Sequence, residues 1–425
     1  MTLFVFLGSL LGSLAIGVPV ALALVLCGAA MMIQLDNFDV QIVASNMING
    51  VDNFIFLAVP FFMLAGELMN AGGLSRRIVA MALALIGHLR GGLGYVAIIA
   101  AVLMASLSGS AIADSAALGA LLIPMMRSAG YEVGRSAGLV AAGGIIAPII
   151  PPSIGLIMYG IIGNVSITKL FIAGIFPGIM MGIALTLTWW GLNRNSAMVR
   201  PPRASRTEMV KAVGNGAWAL MLPVIIVGGL RTGIFTPTES AVVAVFYALS
   251  VGAFVYRELT WKLLYECLVS AARTTAIVMF IVAAAFVSAW MITIANLPGQ
   301  LSALLVMFLD SPVVLMGIMM LLTIIVGAAL DFTPLVLILT PIMLPVAKQA
   351  GIDPVYFGVV FVMCIAIGLL TPPVGNVLNV VAGVSKVRFE HVVRGVFPFL
   401  LAEVGVVILL VLFPQLLLTP LSWFY

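Results

Sequence analysis

Ser106-Leu-Ser-Gly-Ser-Ala-Ile-Ala-Asp114 interrupts apolar sequence with a run too small, too polar and too glycine-bearing for an ordinary membrane span. Its flanks, Tyr95 to Ala105 and Ser115 to Met126, are apolar but fall short of the roughly 20 residues a helix needs to cross a bilayer. A short helix, a small polar tip and a second short helix describe a re-entrant hairpin over residues 95–126. Irregular backbone is tolerated at membrane depth only where protein buries it or where it lines a wet cavity. The tip therefore marks a site.

Composition agrees. The 425 residues are 63% hydrophobic and 8% charged, against about 25% charged in soluble domains. That defines a polytopic membrane protein with room for about ten to thirteen helical segments. Its apolar runs are continuous, without the alternation of a β-barrel strand. The net charge of +4 carries no nucleic-acid signature, and the basic residues gather at span ends as topology determinants do. Cys27, Cys267 and Cys364 are scattered and show no metal or disulfide spacing. His88 and His391 read as interfacial, and no cofactor is expected. Residues 2–33 read as one retained first span with a kink at Pro19, because the N-terminus has no basic n-region.

Further along, Val133 to Ala147 runs into Pro148-Ile-Ile-Pro-Pro-Ser153 and resumes at Ile154. Proline lacks an N–H and clashes with the preceding turn, so residues 133–163 form a discontinuous helix. Leu170 to Gly191 is a full span, and Trp189-Trp190 near its end reads as an interfacial anchor. A polar stretch with Arg194, Arg200, Arg203, Arg206 and Lys211 follows, which the positive-inside rule places in the cytoplasm.

The second half then repeats the first. Pro124 and Pro345, Gly130 and Gly351, Pro151 and Pro372, Pro152 and Pro373, Gly174 and Gly395, and Pro177 and Pro398 share one constant spacing. A second hairpin over residues 313–347 carries the tip Gly327-Ala-Ala-Leu-Asp-Phe-Thr-Pro334. A second broken helix over 355–383 is interrupted at Thr371-Pro-Pro-Val-Gly-Asn376. Paired hairpins and broken helices in matching halves point to the binding site of a secondary transporter. The expected fold is an all-α polytopic membrane protein of two inverted structural repeats, 1–192 and 217–425, joined by a basic cytoplasmic loop, 193–216.

Unwound helices and hydroxyl side chains supply neutral oxygens, which suit a hard cation such as Na⁺. Ser106, Ser108, Gly109, Ser110 and Asp114 with Pro151, Pro152 and Ser153 form one candidate ion and substrate site. Gly327, Asp331, Thr333, Thr371, Pro372, Pro373, Gly375 and Asn376 form its counterpart. Na⁺ is assigned to Ser108, Ser110 and Ser153, and to Gly327, Thr371 and Asn376. Helix N-termini facing the same cavity favour a small anionic substrate. Asp114 and Asp331 sit after the two tips and read as helix-start acids, so Asp114→Asn is expected to retain Na⁺-driven transport. Glu239 reads the same way, whereas Glu67 reads equally as an intramembrane carboxylate or a span end. The competing classes are a stand-alone secondary carrier, a passive anion channel and an intramembrane aspartyl-type enzyme using Asp114 and Asp331.

Ala105-Ser-Leu-Ser-Gly-Ser-Ala-Ile-Ala-Asp114, Gly144-Ile-Ile-Ala-Pro-Ile-Ile-Pro-Pro-Ser153 and Gly368-Leu-Leu-Thr-Pro-Pro-Val-Gly-Asn376 resemble the large membrane subunit of TRAP transporters, the DctM type. Phe61-Phe-Met-Leu-Ala-Gly-Glu67 and Thr236-Pro-Thr-Glu239 fit the same family, and the resemblance covers essentially the whole chain. It implies a Na⁺-driven importer of the bacterial inner membrane with an elevator mechanism. It also implies a separate small membrane subunit of about four helices and a periplasmic substrate-binding protein. At Tyr356-Phe-Gly and Thr371 to Asn379 the chain looks most similar to permeases for sugar acids such as 2,3-diketo-L-gulonate.

Overall fold

The computed structural model describes residues 2–194, 202–305 and 308–424, and these form helices with no strand among them. Eight of the helices are long and apolar enough to cross a membrane. The shorter apolar helices among the described residues include three half-helices and two hairpin arms. The first hairpin has arms Gly92–Ser108 and Ala111–Ser128, and the second has arms Pro312–Gly327 and Phe332–Gln349. Val133–Gly144 and Ile154–Gly163 are the halves of one broken helix. Pro354–Gly368 and Asn376–Ser385 are the halves of the other.

Elements at matching places in the chain pack crosswise. Ala111–Ser128 lies on Asn376–Ser385, and Phe332–Gln349 lies on Ile154–Gly163. Val133–Gly144 runs along Phe389–Leu412, as Pro354–Gly368 does along Ile167–Asn193. Trp261–Ile294 lies against Val20–Gln34, and Ala58–Ala71 against Pro237–Ser250. Small residues allow these close approaches in a medium where helices gain little from hydrophobic association. A Cβ on Gly138 would stand 2.3 Å from the carbonyl carbon of Gly395, so only glycine fits that crossing.

Three expectations need correction. Residues 2–33 are two helices, Thr2–Ala15 and Val20–Gln34, packed on one another rather than one kinked span. Gly17 reverses the chain with φ +85, and Pro19 then opens the second helix. The basic segment does not remain a loop to residue 216, because the helix Arg206–Arg231 begins inside it. Ser205 and Glu208 form a capping box there: the Glu208 N–H donates to Ser205 Oγ at 3.2 Å and the Ser205 N–H to Glu208 Oε2 at 2.7 Å. Asn195 to Pro201, including Arg200, lie outside the described residues. Thr236 and Glu239 make the same motif at the start of Pro237–Ser250, which places Glu239 as a helix-start acid.

The third correction concerns Trp189, which is buried at the foot of the first hairpin while Trp190 is exposed. Its indole Nε1 donates to the Gly91 carbonyl at 2.9 Å. Its ring stacks on Tyr131, with centroids 6.0 Å apart, and lies 6.2 Å from that of Phe399. A Cβ on Gly94 would stand 2.0 Å from the indole. Trp189 thus pins the hairpin base to Phe389–Leu412 instead of anchoring an interface. Buried aromatic contact and a satisfied N–H both favour that position.

Candidate functional site

Both tips are built by local capping. At the first, Gly109 adopts φ +62 and passes so close to Pro152 that a Cβ would stand 2.4 Å from its carbonyl oxygen. Ser110 then caps Ala111–Ser128, accepting from the Ala113 N–H at 3.4 Å. Ser108 Oγ accepts from the Ser110 N–H at 3.1 Å and donates to Asp114 Oδ1 at 2.5 Å. Asp114 therefore does not cap the helix; it stands one turn in, buried, and ties back to the tip. Its Oδ2 and the neighbouring Ser115 Oγ are both buried without a hydrogen-bond partner.

At the second tip Asp331 is the cap, accepting from the Phe332 N–H at 2.8 Å. The spacing that relates the prolines relates Asp331 to Ser110, not to Asp114, so the two tips carry equivalent caps of different chemistry. Asn376 Nδ2 also donates to Asp331 Oδ1, at 3.3 Å, which joins the tip to the second break. The Val374 N–H donates to the Ala328 carbonyl at 3.3 Å, and Gly327 packs on Gly368. The Phe332 ring crosses to the other half and fills the space a Gly155 side chain would take.

A cavity of about 370 Å³ opens between the tips. Ser108, Gly109 and Ser110 line it from one tip, and Asp331, Phe332 and Thr333 from the other. Pro148 and Leu369 come from the two breaks. Two further helices close it: Ala58–Ala71 with Met63, Gly66, Glu67 and Asn70, and Trp261–Ile294 with Ala271, Thr274 and Val278. Ser270 Oγ donates to Glu67 Oε1 at 2.8 Å, holding that carboxylate against the opposite helix. Two carboxylates line the cavity, and among the described residues no Lys, Arg or His does.

Five of the candidate ion and substrate residues meet on this wall, Ser108, Gly109, Ser110, Asp331 and Thr333, and Glu67 joins them. The others do not line it. Ser106 Oγ donates to the Leu103 carbonyl at 2.6 Å. Ser153 caps Ile154–Gly163, accepting from the Leu156 N–H at 3.1 Å and donating to the Pro148 carbonyl. Thr371 Oγ1 donates to the Ile367 carbonyl at 3.0 Å. Gly375, with φ +53, opens Asn376–Ser385. Pro151-Pro152 and Pro372-Pro373 are joined by cis peptide bonds at the two breaks. Met63, Asn70, Ser270 and Thr274 were not legible as site residues. Met63, Gly66, Glu67 and Asn70, like Ser270, Ala271, Thr274 and Val278, follow the three- and four-residue spacing of one helix face. That stripe of small and polar residues in an apolar helix was the available signal.

Residues 7–416 match the family model described as "Tripartite ATP-independent periplasmic transporter, DctM component". The chain is 56% identical over the full length of both chains to the 2,3-diketo-L-gulonate TRAP transporter large permease protein YiaN of Escherichia coli (strain K12). It is 40% identical to the sialic acid TRAP transporter large permease protein SiaM of Vibrio cholerae, covering 95% of each chain. Against the sialic acid TRAP transporter permease protein SiaT of Haemophilus influenzae it is 37% identical, over 95% of this chain and 65% of that one. The crystal structure of the Alcanivorax borkumensis YdaH transporter shares the fold, with a TM-score of 0.62 over 88% of this chain and 87% of that one at 15% identity. The chain belongs to the DctM component family of tripartite ATP-independent periplasmic transporters.

Proposed function

We propose that this chain is the large permease subunit of a Na⁺-coupled importer that carries a small organic anion, a sugar acid or another carboxylate, across a bacterial inner membrane. A periplasmic binding protein delivers the substrate, and a separate small membrane subunit of about four helices completes the complex. The observation that carries this reading is the cavity between the tips, where two halves of the chain meet around one space. The starts of Ala111–Ser128, Ile154–Gly163 and Phe332–Gln349 all contribute to its wall. Helix N-termini favour negative charge, but Glu67 and Asp331 oppose it. Cations bound beside the tips offset those carboxylates, so the anion enters favourably only with Na⁺ present. Coupling is then electrostatic in origin.

The residues fit that ion. Asp114 Oδ2 and Ser115 Oγ are buried without partners, where buried polar groups are ordinarily satisfied. Ser108, Asp114 and Ser115 with backbone carbonyls at the first break would hold one Na⁺. Thr371 and Asn376 with carbonyls near Gly327 would hold another. Ser153, whose hydroxyl is engaged on both sides, serves as a cap.

An inverted arrangement of the halves is supported by tracing the chain. From Gly130, Val133–Gly144 and Ile154–Gly163 cross together, and Ile167–Asn193 returns to the basic segment. Continuing, Gly351 falls on the opposite side, with Lys169, Arg231 and Lys348, whereas Arg76, Arg77, Arg127, Lys386, Arg388 and Arg394 share the side of the basic segment. The positive-inside rule makes that side cytoplasmic. Cysteines at positions 130 and 351 are expected to label from opposite faces of intact cells and inside-out vesicles; labelling of both from one face contradicts the inverted halves. In this reading the hairpins and broken helices move as one body past Ala58–Ala71 and Trp261–Ile294, an elevator step.

Reconstitution tests the assignment of partners. In proteoliposomes with a Na⁺ gradient the chain alone is expected to accumulate no substrate. Uptake is expected once the small subunit and loaded binding protein are supplied. Robust accumulation by the lone chain would identify a stand-alone carrier instead.

A further inference from the structure

The far end of the first hairpin holds a second cavity, of about 610 Å³. Arg127, Lys386, Arg388, His391 and Arg394 line it, together with Glu132. Among the described residues none of the four Arg and Lys side chains forms an ion pair, and Glu132 is turned to Arg135 at 3.3 Å.

Two helices begin on this cavity, and neither has a side-chain cap. They are Val133–Gly144 behind Glu132 and Phe389–Leu412 behind Arg388. Their counterparts in the other half are capped. Asp353 accepts from the Val355 and Tyr356 N–H groups at 2.9 and 2.8 Å at the start of Pro354–Gly368. Ser166 accepts from the Lys169 N–H at 3.4 Å at the start of Ile167–Asn193. The caps are thus missing at the end where unpaired cations converge. First turns without a side-chain cap, positive helix ends and four cations together make an anion receptor.

Phe397 and Leu401 continue the face of Arg394 by one and two turns, and both are more than half exposed, at 58% and 56%. Pro124, one turn from Arg127 on the hairpin arm, is exposed as well. A basic pocket between helix ends, with apolar strips leading from it into the membrane, suits a headgroup with its acyl chains. We propose that this cavity binds the phosphodiester of an anionic membrane lipid.

The test uses the purified full-length chain in detergent, with phosphatidylglycerol or phosphatidylcholine added and bound lipid counted by native mass spectrometry. The parent protein is expected to retain phosphatidylglycerol and not phosphatidylcholine. The double variant Arg388→Ser with Arg394→Gln is expected to bind phosphatidylglycerol roughly 30-fold more weakly, the effect of two interfacial charges. Serine at 388 supplies a cap like that of Ser166, which keeps the helix start formed. Should the double variant fail to fold, exposed Arg394→Gln alone is expected to show a loss of roughly fivefold. Equal retention of the two lipids by the parent, or unchanged phosphatidylglycerol binding in the folded variant, would overturn the proposal. Millimolar inorganic phosphate is expected to leave the lipid in place. Displacement of the lipid by that phosphate would show that the cavity takes free phosphate, and the lipid assignment would fall.

Discussion

Replacing Asp331 with alanine is expected to lower substrate uptake by the complete transporter about 100-fold while leaving the protein in the membrane and folded. Two roles converge on this side chain. It caps Phe332–Gln349 and holds Asn376 of the second break, both through Oδ1, and it lines the cavity between the tips. Loss of a cap costs about 1 kcal/mol, too little to unfold a bundle whose core runs through the whole chain. Loss of the carboxylate removes negative charge from the place where cation and anion must be balanced, and a 100-fold effect corresponds to about 2.7 kcal/mol of transport barrier. Asp331→Asn separates the roles, since asparagine caps about as well as aspartate. Its thermal stability is expected to match the parent, with uptake still down at least about tenfold. Parental uptake by Asp331→Asn would reduce Asp331 to a cap.

Asp114→Asn carries the second large effect: the Na⁺ concentration for half-maximal uptake is expected to rise at least about tenfold. This reverses the expectation from the sequence, which makes Asp114 a helix-start acid. Ser110 does that work, and Asp114 is held by Ser108 with one oxygen left bare in a buried place. A buried carboxylate oxygen without a partner is costly, and a cation beside it removes the cost. An amide keeps the Ser108 contact but gives up the charge. Ser108→Ala, which removes the tether and one neutral ligand oxygen but leaves the charge, is expected to produce a smaller rise of about threefold, within the usual range for one hydrogen bond. Unchanged Na⁺ dependence in Asp114→Asn would return Asp114 to a structural role.

The sequence made the hairpins and breaks legible because each carries its own physical signature. Pro148, Pro151 and Pro152 must interrupt a helix wherever they fall, and matched prolines at one spacing exposed the second copy without reference to any contact. Chain reversal at Gly17 was hidden because residues 2–33 are apolar throughout, and hydropathy alone does not separate one kinked span from two packed helices. The burial of Trp189 is hidden for a related reason: an aromatic near a span end suits an interface, and only the glycines at 91 and 94, far away in the chain, reveal the slot it fills. At the site the tips were readable from local chemistry. The closing wall was not, because Glu67 and Ser270 become partners only through packing of Ala58–Ala71 against Trp261–Ile294. Asp114 and Asp331 look equivalent because each is the first acid at its tip, whereas the constant proline spacing pairs Asp331 with Ser110.

Parallel measurement of ²²Na⁺ entry and labelled substrate entry tests electrostatic coupling at the tips most directly. It calls for proteoliposomes containing this chain, its small subunit and a loaded binding protein. Substrate accumulation is expected to follow the Na⁺ gradient, to bring Na⁺ in with it, and to stop when K⁺ replaces Na⁺ at a maintained proton gradient. Accumulation driven by the proton gradient in K⁺ alone, with no accompanying Na⁺ entry, would contradict Na⁺ coupling and make Asp114, Asp331 or Glu67 a proton carrier instead.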